Sequence, residues 1–327
     1  MPWKRPINVT IAVLALAFLA ACDEQGSFGN SVRNAAGDRV DAAERGLQGA
    51  RDRLRSRRDG GSIRRGGRRG RSDLTAHRGD YVIEVSGYSN ARFANAKGTL
   101  TRDMIDDCGD WTLQEKLDVT LIDQAKKHHR SNLLYRATEK TSADRFIFAY
   151  SRDHLSTRED YIGDARPVPG GFLASFMEPP ITDLVLPEDV IYPINHFRRV
   201  LASARRQRGG FEAMVFDGGN AIAYLAVTEI GNSLRADDAN PRVAAAREML
   251  QSKRSDRLPN GRTWPVTTSY FPLDDPNAPP IFTRDFLLHE SGIIIGLHFD
   301  YGDFQMDASL ANLDILEPKR CAPGNQR

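Results

Sequence analysis

The chain has 327 residues, 40% of them hydrophobic and 27% charged, with 27 Gly and 17 Pro. These fractions exclude a collagen-like or wholly disordered protein, and the length allows one large domain or two ordinary ones. The net charge of +2 hides a split: residues 23–72 carry a net +6 and residues 73–327 a net −6, so a basic arm precedes an acidic body.

Lys4 and Arg5 are followed by an unbroken apolar run from Ile11 to Ala21 and then by Cys22. Eleven apolar residues are too few to span a bilayer of roughly 30 Å at about 1.5 Å per residue. They suit the hydrophobic region of a secretion signal with small residues before the cut. The ending Leu19-Ala20-Ala21-Cys22 resembles the lipobox of bacterial lipoproteins. Residues 1–21 are therefore expected to be a lipoprotein signal peptide, and Cys22 the lipidated N-terminus of the mature chain. Several acyl chains on one residue suffice for stable anchoring. The expected location is the periplasmic side of a bacterial membrane, with inner and outer membrane both open.

Residues 22–73 form the arm. It lacks Tyr and Trp, and from Arg51 to Arg71 it holds ten Arg against Asp52 and Asp59, interspersed with Gly. Such a segment buries too little apolar area to offset its ordering entropy, so a flexible tether is expected. Ala36, Val40, Ala43, Leu47, Ala50 and Leu54 follow a short heptad spacing, interrupted by Gly37, Gly46 and Gly49. Arg64, Arg65, Arg68, Arg69 and Arg71 are candidates for contact with an anionic surface, a lipid headgroup or a cell-wall polymer. The export signal argues against nucleic acid as their partner. A plain spacer is the alternative.

From residue 74 the hydrophobic period becomes two. Tyr81, Ile83 and Val85 alternate with Val82, Glu84 and Ser86, and Leu113, Glu115, Leu117, Val119 and Leu121 mark a second run. Further strands are expected at 96–102, 132–139, 145–151, 171–177, 181–186, 210–217, 221–230, 264–271, 280–289, 293–300 and 304–316, separated by Gly, Pro, Asn and Asp. One main helix is expected near 193–207, with Pro193 in its first turn. It places Phe197, Val200, Leu201 and Ala204 on one face and His196, Arg199, Ser203 and Arg206 on another. Asn240-Pro241 is expected to open a shorter one. The pattern predicts a mainly β fold: one long antiparallel sheet, curled enough to bury one face, with the helix against it or closing one end.

The motifs of common enzyme classes are missing. There is no Gly-x-Ser-x-Gly, no Gly-x-x-x-x-Gly-Lys, no His-Glu-x-x-His and no Cys-x-x-Cys. His128-His129 adjoins Lys126, Lys127 and Arg130, a run with no carboxylate within it to complete a metal site, and Asp106, Asp107 and Asp110 read as a turn, as do Asp300, Asp303 and Asp307. No enzyme, catalytic residue, metal or cofactor is expected. With Cys22 lipidated, Cys108 and Cys321 are left in an oxidising compartment, which suggests one bridge, two separate thiols being the alternative. A loop that long corresponds to roughly 5 kcal/mol at most by chain entropy.

Several short motifs carry a resemblance. Arg102 precedes Asp107-Cys108-Gly109-Asp110-Trp111-Thr112 and Gln114. Leu186-Pro187 precedes Tyr192-Pro193 and His196, and Val215-Phe216-Asp217-Gly218 ends a strand. Asp300-Tyr301-Gly302-Asp303-Phe304 and Cys321 come last. In order and spacing these resemble the EipB family of cell-envelope integrity proteins, over residues 74–321, with 322–327 as a tail. The resemblance implies a β-spiral, an open barrel-like sheet wound on itself, with a helix near its open side. It also implies a Cys108–Cys321 disulfide, a periplasmic location and a non-catalytic role in envelope integrity. The lipobox and the Arg-rich arm depart from the family's better-known members and favour a tethered role. Two functions follow: docking of another envelope protein, or binding of a lipid or lipoprotein acyl chain in the trough of the spiral. What fills the concave face discriminates them, with Phe146, Phe148, Phe172, Phe176, Phe282, Phe286 and Phe299 as the side chains that could close it. For the arm, deletion of residues 51–71 is expected to abolish salt-sensitive binding of an unlipidated form to anionic vesicles, read by co-sedimentation; unchanged binding leaves it a spacer.

Overall fold

The computed structural model describes residues 74–88, 93–140, 145–154, 157–234, 256–273, 278–300 and 304–317, with residues 248 and 250. The signal segment, Cys22, the heptad stretch, Arg64, Arg65, Arg68, Arg69, Arg71, Cys321 and the stretch opened by Asn240-Pro241 lie outside these residues.

Among the described residues the named elements are fourteen strands and one helix. The strands of the first half are β1 (His77–Tyr88), β2 (Phe93–Asp107), β3 (Asp110–Asp123), β4 (His128–Glu139), β5 (Phe146–His154), β6 (Thr157–Val168), β7 (Gly171–Glu178) and β8 (Leu184–Leu186). Helix α1 (Pro193–Arg205) comes next. The second half supplies β9 (Gly210–Val215), β10 (Tyr224–Ile230), β11 (Thr263–Pro272), β12 (Phe282–His289), β13 (Ile294–Asp300) and β14 (Phe304–Ile315). Among the described residues all of these strands belong to one antiparallel sheet in the order β8-β7-β6-β5-β4-β3-β2-β1-β14-β13-β12-β11-β10-β9. Two arms therefore run outward from a β1–β14 seam, one ending at β8 and the other at β9. A twisted open sheet rarely exceeds about ten strands without curling. Here the curl leaves the β8 and β9 edges unjoined, although Ile191, just after β8, bridges Val215: Ile191 N–H donates to Met214 O (2.9 Å) and Phe216 N–H to Ile191 O (3.1 Å).

Alternation sets which side chains face inward. β4 and β5 bury every second residue over most of their length, as a half-covered sheet requires. The β2–β3 hairpin turns on Cys108 and Gly109, both at positive φ (55° and 101°), which matches the strand twist. Asp106 Oδ1 accepts the Gly109 N–H at 3.0 Å, so this acidic stretch is a turn.

The one strand that the sequence pattern does not announce is β6. Its inward positions include Gly163 and Ala165, while Arg158, Asp160 and Asp164 give it a polar character. A Cβ on Gly163 would come within 2.6 Å of Phe148 Cζ, so β6 keeps small residues where the interior is already filled by aromatic rings. Helix α1 also differs from an ordinary amphipathic surface helix. His196 and Ser203, placed by the pattern on a face apart from the apolar one, are buried together with Ile194, Phe197, Val200, Leu201 and Ala204. The helix lies inside the curl and is covered on several sides.

Gly218, three residues past the end of β9, is in the left-handed region (φ 75°), and a Cβ there would lie 2.2 Å from Phe148 Cγ. Gly170 has a similar φ (84°) but open space around it. Gly170→Ala is expected to cost about 1–2 kcal/mol for the backbone alone, and Gly218→Ala about 1–3 kcal/mol more for the overlap with Phe148. Urea unfolding of the two variants measures the difference; equal losses would contradict the packing of Phe148 on Gly218.

Candidate functional site

The concave face of the sheet and the helix lodged against it form the candidate site. Pro193 starts α1 and Tyr192 offers no side-chain cap. The cap comes from another element: the Glu139 carboxylate, at the end of β4, accepts the Ile194 N–H at 2.5 Å and the Asn195 N–H at 3.0 Å. A carboxylate at a helix N-terminus satisfies two orphan donors and complements the helix dipole. Glu139 is buried, and burial outweighs these bonds, pushing its pKa up to about 7.

One side of α1 meets an aromatic layer. Tyr192 stacks on Phe146 (centroids 4.5 Å apart), and Phe216 makes edge contacts with Phe146, Phe148 and Phe176. Of the seven Phe residues singled out for the concave face, Phe146, Phe148, Phe176, Phe286 and Phe299 are buried, and Phe172 and Phe282 pack partly buried against them. Two tyrosine hydroxyls are held by backbone: Tyr81 donates to Ile294 O (2.7 Å) and Tyr135 to Asp217 O (2.8 Å).

The other side of α1 is polar. His196 Nε2 lies 3.2 Å from the Thr228 hydroxyl, which lies 3.2 Å from that of Thr268. Burial first, then the charges of Arg199 and Arg284, lower His196 to about 3, so it is neutral at pH 7. Beneath the helix, Arg102 (3% exposed) pairs with Glu115 (0%), whose Oε1 is also 3.9 Å from Arg284 Nη2 (6%). The Arg102 guanidinium faces the Phe197 ring of α1 at 5.5 Å. Burial and the neighbouring Arg284 lower Arg102 to about 9. The cavity between α1 and these groups measures about 30 Å³, room for little more than a water molecule. An acyl chain does not fit there.

The motifs at 186–196 and 215–218 meet at this place, while Tyr301, Gly302 and Asp303 lie outside the described residues. Leu186, Tyr192, Pro193, His196, Val215, Phe216 and Asp217 are all buried around α1, and Trp111 packs under the guanidinium of Arg198. Cys108 stands apart, at the β2–β3 turn. His129 is fixed by Asp123 (2.8 Å) across the β3–β4 hairpin, and His298 of β13 by Asp307, its cross-strand partner on β14 (2.9 Å), so Asp307 is a strand residue and not part of a turn. Glu115 falls in the alternating run with Leu113 and Leu117 and is buried with them, whereas Glu139 and Arg284 are not singled out by the sequence; only their charge at an inward position of the period could flag them.

A sequence profile of the family described as EipB-like matches residues 69–317. The chain belongs to the EipB-like family. The cell envelope integrity protein EipB of Brucella abortus (strain 2308) is 24% identical over 252 residues, 75% of this chain and 82% of that protein. A crystal structure of a beta-barrel-like protein of the domain of unknown function DUF1849 from Brucella abortus superposes with a TM-score of 0.63 at 19% identity, covering 75% of this chain and 99% of the other. This EipB-like chain thus shares the fold: mainly β, an antiparallel sheet not closed into a barrel. Among the described residues no helix is long and apolar enough to cross a membrane.

The buried acid and the two buried histidines give opposite pH dependences. Glu139 is raised from 4.5 to about 7, so its contribution to stability is complete below about 4.5 and is lost as pH rises through 7. His77 and His196 are lowered from 6.5 to about 4 and about 3, so theirs is complete above 6.5 and is lost as pH falls. Glu139→Gln is expected to gain stability relative to the parent between pH 5 and 8, by up to ~3 kcal/mol. Both proteins decline together below pH 6.5. Chemical unfolding across pH tests this, and parallel curves from pH 5 to 8 would refute the burial of an ionisable Glu139.

Proposed function

We propose that this EipB-like chain is a membrane-tethered envelope protein that acts by docking another envelope protein, without catalysis. The name of its relative, a cell envelope integrity protein, supports the envelope setting. The lipobox ending at Cys22 supports a lipid anchor on the periplasmic side, and Arg64, Arg65, Arg68, Arg69 and Arg71 support a second contact with an anionic surface.

The observation that carries the docking reading is the β8 edge. Leu186 points inward, and Val185 on the same three-residue strand is 70% exposed. Met177 of β7, also facing outward, is 68% exposed, and Ile181 lies exposed between them in the chain. Apolar side chains on an edge strand are a template for strand addition. The occupant proposed is an extended segment of an envelope protein that pairs with β8 and covers Val185 and Met177. The alternative, a carrier of a lipid or acyl chain, loses support because α1 and the aromatic layer occupy the trough.

The reading includes a Cys108–Cys321 bridge. β1 lies between β2 and β14, which therefore run parallel to each other. His77 faces Met104 on one side and Ile315 on the other, so β2 and β14, the strands that precede Cys108 and Cys321 in the sequence, end on the same side of the sheet.

A photo-crosslinking residue at Val185, compared with one at the exposed Leu134 on β4, tests the docking in living envelopes. The expected result is an adduct of one defined mass from position 185 alone, lost with Met177→Lys. Equal labelling from both positions would sink the β8 reading. Native mass spectrometry without detergent tests the alternative: a stoichiometric mass that extracts as lipid would restore the carrier.

A further inference from the structure

The residues of α1 that are not buried are Asn195, Arg198, Arg199, Ala202 and Arg205. Spacings of three, four and seven put them on one side of the helix. Arg206 and Arg208, both exposed, follow at the helix end, and no acidic residue occurs from 195 to 210. Five arginines thus fall within 198–208, on a body that carries a net −6 from residue 73 onward. Basic residues in the last turn answer the helix dipole, which accounts for Arg205 and Arg206. It does not account for Arg198 and Arg199, near the middle of the helix.

Neither of those two meets a carboxylate. Arg198 lies over the Trp111 ring at 5.3 Å and Arg199 over the Phe211 ring at 4.6 Å. Among the described residues no carboxylate pairs with them, with Arg206 or with Arg208. The contrast is next door: Arg205 donates to Glu290 O (2.7 Å), and Arg262, which lies over Trp264, pairs with the Glu290 carboxylate at 3.3 Å. A guanidinium held flat on a ring keeps the N–H donors of its edge free and has less side-chain entropy to lose on binding. Those donors match the oxygens of a phosphate.

The point where the chain enters the body favours the phosphates of a membrane over those of a soluble partner. Leu74, where the described residues begin, is buried, and it borders Gly292 together with Leu201 of α1. Residues 22–73 therefore join the body beside this helix. A tether keeps what it carries at high effective concentration over the surface, so an attraction too weak to recruit a free body is enough to orient a tethered one.

We propose that the arginine stripe of α1 docks on the anionic phospholipid headgroups of the membrane that holds the chain, setting this end of the curl against the bilayer. The inference rests on the tethered reading given above and uses no residue of the β8 edge.

Trp111 and Trp264, the tryptophans of the chain from residue 22, lie under Arg198 and Arg262 and report the approach of this end. The chain from residue 22, with Cys22 replaced by a histidine tag, is held on vesicles by a nickel-chelating lipid, which supplies a tether whether or not Cys22 is acylated in the cell. Energy transfer from tryptophan to dansyl-labelled lipid is expected to be higher on phosphatidylglycerol than on phosphatidylcholine vesicles, and to fall to the phosphatidylcholine level in high salt. Arg199→Gln combined with Arg206→Gln and Arg208→Gln, all at exposed positions, should abolish the difference, and deletion of residues 51–71 should leave most of it. Arg136→Gln, exposed on β4, is the control and should change nothing. Equal transfer on the two lipids overturns the proposal and leaves the stripe to an acidic protein segment. A difference that survives the α1 substitutions overturns it as well, and assigns the contact to the arm where the deletion removes it. An unmodified Cys22 in the N-terminal peptide from cells would instead overturn the anchor, with the vesicle result standing apart.

Discussion

A long sheet with an apolar concave face has to fill that face, and this constraint governs the rest of the molecule. The filling here is a thirteen-residue helix and a layer of aromatic rings. Ile194, Val200, Leu201 and Ala204 are wholly buried, and each large apolar side chain so placed contributes about 1.5–3 kcal/mol. The remaining features are conditions for seating that helix. Glu139 caps it from a strand, Pro193 sets its entry, and Gly163 and Gly218 leave room for Phe148. Even the poor apolar signal of β6 is a consequence, because small side chains are what the filled interior leaves space for.

Filling the curl with a helix that carries His196 and Ser203 brings polar groups inside, and burying them is costly unless each finds a partner. The structure answers with pairs between elements: Glu115 of β3 with Arg102 opposite it on β2, and His196 of α1 with Thr228 of β10, whose hydroxyl in turn meets that of Thr268 on β11. On the outer side of β2, Asp103 takes Arg78 through two bonds of 2.7 and 2.9 Å. A buried ion pair adds little net stability against an apolar substitute, yet a helix shifted by one turn would part His196 from Thr228 and the Ile194 and Asn195 N–H groups from Glu139. Polar interior groups therefore select the position of α1, while apolar area supplies the driving force.

Much of this was legible in the sequence. The period-two runs at 81–86 and 113–121 mark β1 and β3, and Pro193 marks the start of α1, because alternation and first-turn proline are local signals. The motifs around Leu186, Tyr192, His196 and Phe216 pointed to a family, and their shared location around α1 explains why they cluster in one pattern. What could not be read was the partner of each interior charge. Glu139 and Ile194 are 55 residues apart, and nothing in either neighbourhood announces the bond. The same holds for Arg284, whose role depends on two arms of the sheet meeting across a helix.

The seam has a consequence for the order in which the molecule can be assembled. From β2 to β8 each new strand adds beside the one before it, so that arm can grow by successive hairpins as the chain emerges. β1 waits: its second neighbour is β14, and the Tyr81 hydroxyl finds its acceptor, Ile294 O, only on β13. A newly delivered chain therefore carries a half-built curl with β1 as a bare edge until its final strands arrive. The closing event is the docking of an entire second arm along an eleven-pair ladder from His77–Ile315 to Tyr88–Phe304. During that interval β1, rather than β8, is the edge most open to a wrong neighbour.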